Sequence, residues 1–408
     1  MQPPRLVVLG TGFAAFNLVR RVSSDYSVTI VSPRNHFLFT PLLPSTTVGT
    51  VEFRSIIEPI RFAKKDCTFY HAFAEHLDLS LRQVGCRGVA EGDQFTVEYD
   101  TLVIAVGAVT NTFQVPGVAT HAHFLRELND ARSLRQHIIR AFERANLPGI
   151  PVAERQRLVS FVVCGGGPTG VEFAAELHDF LHEDLRRAYP LLVAEAGITL
   201  VEAGKDVLST FDKKLRDYAT ALFRRQQIHV LVGSPVVRVD STSVHLNDGT
   251  VLPFGLLLWS TGNGPTSFVE GVPLERDRQS RILTDRYFRV PGVGNVYALG
   301  DCSSVGGLSL PVTAQVAQQE GKYLASALNR LSRGQPVEPF QYRHLGMLAY
   351  IGANRALADL ESFKGKGRAT WLFWRSAYLS RIVSVKNKVL VLFDWIKAQI
   401  FGRDISQF

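Results

Sequence analysis

Two glycine-rich segments carry the clearest chemistry in this sequence. Gly10-Thr-Gly-Phe-Ala-Ala follows the apolar run from Arg5 to Leu9 and opens onto a helical pattern. Gly165-Gly-Gly-Pro-Thr-Gly follows Phe161-Val-Val-Cys and does the same. In such a turn the first glycine, Gly10 or Gly165, lets the chain reverse tightly. The second, Gly12 or Gly167, lets backbone approach a pyrophosphate, and the third position, Ala15 or Gly170, lets helix pack on strand. The amides of Phe13 and Ala14, or of Thr169 behind Pro168, then sit at a helix N-terminus, where a phosphate is favoured. Gly107 closes a buried-strand pattern 97 residues after Gly10, and Gly262 closes another 97 residues after Gly165. Equal offsets mark an internal repeat, and two copies imply two dinucleotides.

The two copies differ where they would read a ribose. Ile198-Thr-Leu-Val-Glu202 is a strand pattern ending in an acid, which accepts a 2′-hydroxyl and repels a 2′-phosphate, favouring NAD(H). Lys205 weakens that preference. The interval from Gly170 to Glu202 exceeds the usual ~20 residues, the excess being a polar helical extension from His178 to Tyr189, ending at Pro190. In the first copy the corresponding strand ends in Ser32-Pro33-Arg34, with no acid, and leaves that ligand ambiguous. A third strand pattern, Asn295-Val-Tyr-Ala-Leu, closes in Gly300-Asp301.

These turns require parallel α/β sheets, and the composition permits them. The 408 residues are 46% hydrophobic and 20% charged, enough apolar material for more than one core and unlike a disordered or collagen-like chain. Cys67, Cys86, Cys164 and Cys302 form no CxxC pair, which argues against a zinc ribbon or thioredoxin-type motif. His36, His71, His76, His121 and His123 show no i,i+4 pairing, so all read as structural and no metal is expected. No apolar run is long enough to span a membrane. A first strand beginning by Arg5 leaves no room before it for a signal or transit peptide.

The net charge of +8 is concentrated at one end. Eleven Lys/Arg against four Asp/Glu lie between Phe340 and Phe408, so the body is nearly neutral and a nucleic-acid partner is not expected. Within that end, Leu379, Ile382, Val383, Val389, Leu390, Phe393, Ile396 and Ile400 step at helical spacing, and Trp371, Trp374 and Trp395 accompany them. Charges interrupt every apolar stretch, so the segment is expected to lie in a membrane interface rather than cross it. Each basic residue near an anionic leaflet contributes on the order of 1 kcal/mol. The competing reading is an amphipathic helix docked on the body or on a second subunit.

Read residue by residue, the chain resembles the type II NADH:quinone oxidoreductases, single-subunit NADH dehydrogenases, in their mitochondrial branch. The resemblance runs from end to end. It is carried by Gly10-Thr-Gly-Phe-Ala, Ser32-Pro-Arg-Asn-His-Phe-Leu-Phe-Thr-Pro-Leu-Leu-Pro, Gly165-Gly-Gly-Pro-Thr-Gly-Val-Glu, Ala298-Leu-Gly-Asp, Pro311-Val-Thr-Ala-Gln-Val-Ala-Gln-Gln-Glu, Leu348-Ala-Tyr-Ile-Gly and Phe393-Asp-Trp-Ile-Lys. It implies two Rossmann-like domains plus a C-terminal amphipathic membrane-binding segment. Residues 1–112 and 285–340 would bind FAD non-covalently, 113–157 would connect, 158–284 would bind NADH, and 341–408 would anchor and dimerise. Gly10, Gly12, Phe13, Ala14, Ser32, Pro33 and Arg34 would hold the FAD adenosine and pyrophosphate, with Thr40 and Pro41 near the flavin ring and Gly107, Gly300 and Asp301 along the chain between. Gly165, Gly167, Pro168, Thr169, Gly170, Glu202 and Gly262 would cradle NADH, with Glu172 facing nicotinamide and flavin. Gln315, Gln318 and Gln319 would lie on the quinone side and Tyr350 along the quinone path. The implied activity is non-pumping transfer from NADH through FAD to ubiquinone, peripheral to the mitochondrial inner membrane or to the cytoplasmic face of a bacterial plasma membrane.

Plainer readings accompany several of these residues. Glu172 is expected in the first turn of its helix, where an acid is favourable anyway. Glutamines four apart share a helix face and are ordinarily solvated, and Tyr350 lies in an apolar stretch that suits a core. A sulfide:quinone oxidoreductase would need Cys164 and Cys302 to meet. A non-catalytic NADH-binding signalling flavoprotein would need neither the tail nor Gln315 and Gln319.

Overall fold

The computed structural model describes residues 3–406 and contains two compact units. The first comprises the chain up to Leu38, Ile57–Val109 and Asn263–His344; the second comprises Phe39–Ile56, Thr110–Gly262 and the chain from Leu345 onward.

The first unit is built on an eight-stranded sheet in the order Arg289–Val290, Val293–Ala298, Thr101–Ile104, Arg5–Leu9, Ser27–Ser32, Thr68–Asp78, Gln83–Gly88, Gln94–Glu98. From Val293–Ala298 to Thr68–Asp78 neighbouring strands are parallel. Leu6–Leu9 and Leu102–Ile104 are buried at every position, as strands covered on both faces must be. The second unit repeats the pattern with four parallel strands, Ile228–Leu231, Gly197–Val201, Ser160–Cys164 and Leu256–Trp259. The repeat extends to individual bonds. Gly10 N donates to Val31 O and Gly165 N to Val201 O, both at 2.8 Å, while Ala105 N donates to Leu9 O and Ser260 N to Cys164 O.

The division of the chain differs from the expected one: the connection 113–157 and the C-terminal part from Leu345 belong to the second unit instead of standing apart, and two further stretches change sides. Residues 263–284 belong with the first unit because Phe268, Val269, Val272, Leu274 and Ile282 join its core cluster. Residues 39–56 belong with the second because the Ser45 and Thr50 hydroxyls donate to Glu176 on the helix Pro168–Phe180. That helix continues through a π-helical turn, Leu181–Leu185. The extension ends at Ala188, before Pro190 as expected, and Pro190 opens a separate helix, Pro190–Glu195, at whose first position a missing N–H costs nothing.

The C-terminal part forms three antiparallel strands, Met347–Tyr350, Ala356–Asp359 and Lys364–Gly367, then the helices Arg368–Arg381 and Val385–Phe401. No helix among the described residues is long and apolar enough to cross a membrane. The last helix is inverted relative to an ordinary amphipathic helix. It buries Asn387, Val391, Asp394 and Trp395 and exposes Val385, Val389, Leu392, Phe393, Ile396, Ile400 and Phe401. The expected apolar stripe is thus exposed at Val389, Phe393, Ile396 and Ile400, whereas Ile382 is buried and Leu379, Val383 and Leu390 are half-buried. The three tail tryptophans are core residues, because Trp374 packs on Trp395 and Arg375 bridges Trp371 and Trp395.

Polar contacts fix this inverted docking. Asp394 Oδ2 accepts from Glu52 N at 3.0 Å and from the Ser55 hydroxyl at 2.5 Å, and Lys397 Nζ pairs with Glu52 at 2.7 Å. Asp394→Ala therefore leaves a buried amide and hydroxyl without an acceptor, a loss of about 1–3 kcal/mol. A melting temperature lowered by several degrees is the expected result, with Asp394→Asn intermediate; an unchanged melting temperature for the alanine variant would refute this account of the docking.

Candidate active site

Both glycine turns stand at the carboxyl ends of parallel strands, where open α/β sheets place ligands. A Cβ at Gly10 would lie 2.2 Å from the Ala105 carbonyl oxygen, and one at Gly165 2.6 Å from that of Ser260, so the chain passes too closely for any side chain. Both also have positive φ, +112° and +115°. The second glycines are the opposite case. A Cβ at Gly167 would meet nothing within 4 Å, and one at Gly12 only an Arg34 nitrogen at 4.0 Å. Gly12 and Gly167 cap the helices Phe13–Val19 and Pro168–Phe180 without any side-chain cap bond. Open space before uncapped amides fits a phosphate.

In the first unit, Gly10, Ser32, Gly107 and Gly300-Asp301 follow or end four adjacent parallel strands. The Thr11 hydroxyl lies 3.2 Å from the Ser32 hydroxyl and donates to Arg34 O, while Arg34 Nε donates back to Thr11 at 3.4 Å. This brings a guanidinium to the turn where the ribose-binding acid is missing. Phe13 packs edge-on against Phe37, 4.9 Å between centroids, and Ala14 is buried. Pro33 is exposed, with its carbonyl accepting from His71. Gly107 has positive φ and open space where a Cβ would sit. The chemistry of this set, an uncapped turn, an arginine over its second glycine and an acid at Asp301, fits FAD. Thr40 and Pro41 are half-buried in a short helical turn of the second unit.

In the second unit Glu202 is bound by its own turn. Its Oε2 accepts from Gly166 N and its Oε1 from Gly204 N, both at 2.6 Å. Gly262 has the Phe113 ring 2.5 Å from where its Cβ would be, and Phe113, positive in φ and 57% exposed, covers it. Phe113 was not singled out by the sequence, whose only signal is the Asn111-x-Phe113 spacing after Gly107. Cys164 and Cys302 are free, buried thiols pushed up to about 12 by burial.

The helix that begins at Gly167 carries a column of buried acids. Glu172 lies in its second turn rather than its first, since the helix starts at Pro168. Glu172, Glu176 and Asp179 share one face and are 6%, 3% and 3% exposed. Glu172 Oε1 accepts from Tyr350 N at 3.0 Å. Burial pushes its carboxyl up to about 8; the Tyr350 amide opposes this and Glu176 adds to it. Glu176 accepts from Ser45 and Thr50, with Arg403 at 4.0 Å, yet burial still raises it. Asp179 accepts from the Tyr350 hydroxyl at 2.5 Å and from Ala353 N. Tyr350 is thus buried between two acids, its ring against Trp374.

The three glutamines sit on the helix Ala314–Leu331 of the first unit and are half-buried. Gln315 accepts from the Tyr342 hydroxyl, and Gln319 exchanges two hydrogen bonds with the backbone of Arg343. The i,i+4 pair therefore holds residues 342–343, and is not simply solvated. Glu320, which the sequence reading passed over, accepts from Gly300 N at 2.6 Å, and burial pushes it up to about 7. Glu176 and Glu320 share one available signal, an acid on the apolar side of a helix.

Residues 4–321 match the pyridine nucleotide-disulphide oxidoreductase family, and residues 344–404 match the NDH2 C-terminal domain. The chain is 43% identical to a probable NADH dehydrogenase of Dictyostelium discoideum, over 99% of its length and 91% of that protein. It is 42% identical to the internal alternative NAD(P)H-ubiquinone oxidoreductase A1, mitochondrial, of Arabidopsis thaliana, over 100% of its length and 86% of that protein. The structure of NDH2 from Plasmodium falciparum in complex with NADH superposes with a TM-score of 0.94 at 27% identity, covering 99% of this chain and 100% of that one. The repeated glycine turns, the Glu202 strand and the C-terminal strands and helices are thus those of a known lineage: the chain belongs to the pyridine nucleotide-disulphide oxidoreductases and, within them, to the type II NADH dehydrogenases.

Proposed function

We propose that this protein oxidises NADH and reduces ubiquinone, with FAD held non-covalently in the first unit, at the surface of the mitochondrial inner membrane. Relatives named as mitochondrial NADH-ubiquinone oxidoreductases support the activity and the location. The observation that carries the reading is Glu172, a buried carboxyl on the helix that the second glycine turn opens.

FAD, when bound, supplies a group that takes hydride from NADH and gives two electrons to a quinone. The chain's own residues bind and manage protons. The open amides behind Gly12 and Gly167 hold the two pyrophosphates, and Arg34 adds a positive charge over the first. Glu202, kept in place by Gly166 and Gly204, accepts from the NADH ribose and rejects a 2′-phosphate. Reduction of a quinone to a quinol consumes two protons. A carboxyl raised to about 8 carries one at neutral pH and can give it up, which an ordinary glutamate cannot. Gln315 and Gln319 are committed to Tyr342 and Arg343, so they position that segment on the quinone side, with Gln318 between them. The exposed apolar face of Val385–Phe401 lies in the membrane interface, flanked by Lys386 and Lys388.

Anaerobic absorbance tests the two half-reactions: NADH should bleach the flavin and a short-chain ubiquinone should restore it. Bleaching without restoration would overturn the acceptor assignment, and no bleaching would overturn the whole reading. Glu172→Gln should leave bleaching by NADH intact and slow re-oxidation by quinone roughly tenfold or more. In the wild type that step should decline as pH passes about 8, and in the variant it should be flat; an unaltered profile removes the proton role.

The same carboxyl affects stability. Its folded-state value is raised, so the folded protein holds a proton that the unfolded chain releases above its ordinary value of 4.5. Wild-type stability should therefore fall relative to Glu172→Gln as pH rises from 4.5 to about 8 and then level off. Denaturant melts at several pH values measure this, and parallel curves would contradict it. Glu202→Gln should reduce the preference for NADH over NADPH on the order of tenfold, read as the ratio of kcat/KM values. An unchanged ratio would place discrimination elsewhere.

A further inference from the structure

A cavity of about 660 Å³ in the second unit is lined by no residue of either glycine turn. Its walls are the π-helical turn and the residues after it, Arg375, and the end of the last helix from Trp395 to Gly402. The charges lining it are unevenly matched. Glu183 and Asp184 are both taken by Arg403, whose Nη1 lies 2.8 Å from each. Arg186 and Arg187 are exposed and pair with no carboxylate among the described residues. Arg375 lies against two indoles, its guanidinium carbon 3.9 Å from the Trp371 centroid and 4.8 Å from that of Trp395. Its Nε is buried and has no hydrogen-bond partner. Burial lowers this guanidinium to about 10, with Tyr350 and Glu176 opposing and Arg403 reinforcing the shift.

Three guanidinium groups, those of Arg186, Arg187 and Arg375, thus line one cavity without a carboxylate partner among the described residues, and such a surplus of positive charge with planar donors suits an oxyanion. The aromatic faces that could receive a quaternary ammonium are already covered by Arg375, which disfavours a zwitterionic headgroup. Ile400 lines the cavity and also belongs to the exposed apolar face of the last helix. The occupant therefore needs a phosphate at one end and an apolar body at the other.

We propose that this cavity takes the phosphate headgroup of an anionic phospholipid, held by Arg375, Arg186 and Arg187, with the acyl chains along Ile396, Ile400 and Phe401. The proposal rests on the membrane-surface reading above and adds a defined lipid site to it.

Flotation of the full-length holoprotein with vesicles at physiological ionic strength, where long-range surface fields are screened, tests it. Phosphatidylcholine vesicles are compared with phosphatidylcholine vesicles containing phosphatidic acid. The wild type should prefer the anionic vesicles. Arg186→Gln/Arg187→Gln should lose about 30-fold of that preference, two charges at about 1 kcal/mol each. Arg224→Gln/Arg225→Gln, a charge-matched change on the helix Lys213–Arg225, should keep it. Equal losses in both double variants would mean a diffuse field and overturn the site. Equal wild-type binding to both vesicle types would overturn the site and leave the membrane reading standing. No binding to either would overturn both. As a second readout, phosphatidic-acid vesicles should shift tryptophan emission in the wild type and not in Arg375→Gln, given the indoles on either side. The same shift produced by inorganic phosphate, and not reversed or matched by the vesicles, would assign the cavity to a free phosphate and overturn the lipid source.

Discussion

Three carboxylates held out of water along one helix face are the constraint on which the second unit depends. A carboxylate in an apolar interior is sustained only by hydrogen bonds, by a countercharge or by taking up a proton. Glu172, Glu176 and Asp179 draw these from segments far away in sequence: the amides of Tyr350 and Ala353, the Tyr350 hydroxyl, Ser45, Thr50 and Arg403. That is why residues 39–56 and the chain beyond Leu345 belong with the second dinucleotide fold. The acids act as anchor points, and the C-terminal part is bound to the unit through them as well as through its tryptophans.

The three acids are not equally served, and the inequality is where chemistry enters. Asp179 receives a hydroxyl and a backbone amide. Glu176 receives two hydroxyls and faces Arg403, itself fixed by Glu183 and Asp184. Glu172 receives a single amide and has another acid one turn away, so protonation is its remaining relief. A stability argument alone would favour an apolar residue there. Retaining a poorly solvated acid on the helix that opens at the second glycine turn makes sense when a proton is needed.

Much of this was legible in the sequence because the glycine turns impose local requirements that only one residue type meets. Gly10 and Gly165 stand where a carbonyl oxygen leaves no room for a Cβ, and their partners recur at equal distance, so the double fold follows from spacing. What did not follow depends on contacts remote in sequence. That Gln319 is committed to Arg343, that Glu320 caps Gly300, and that residues 263–284 fill the core of the first unit are consequences of packing. Boundaries drawn at the end of a strand pattern could not anticipate which core Phe268 and Val269 would enter.

The last helix shows why periodicity by itself can be misassigned. Its apolar residues step at helical spacing, yet in an ordinary surface helix the apolar face would dock and the polar face would meet water. Here Asp394 is turned inward because Glu52 N and the Ser55 hydroxyl need its acceptors, and that choice forces Val389, Phe393, Ile396 and Ile400 outward. The buried tryptophans fill the volume that the apolar stripe would otherwise occupy. Seven large apolar side chains facing outward on one helix would be an aggregation hazard in water. They are consistent with a helix that meets two solvents, protein on its hydrogen-bonding side and lipid on the other. The polar residues select the docking face, and the apolar residues are left facing outward by that selection.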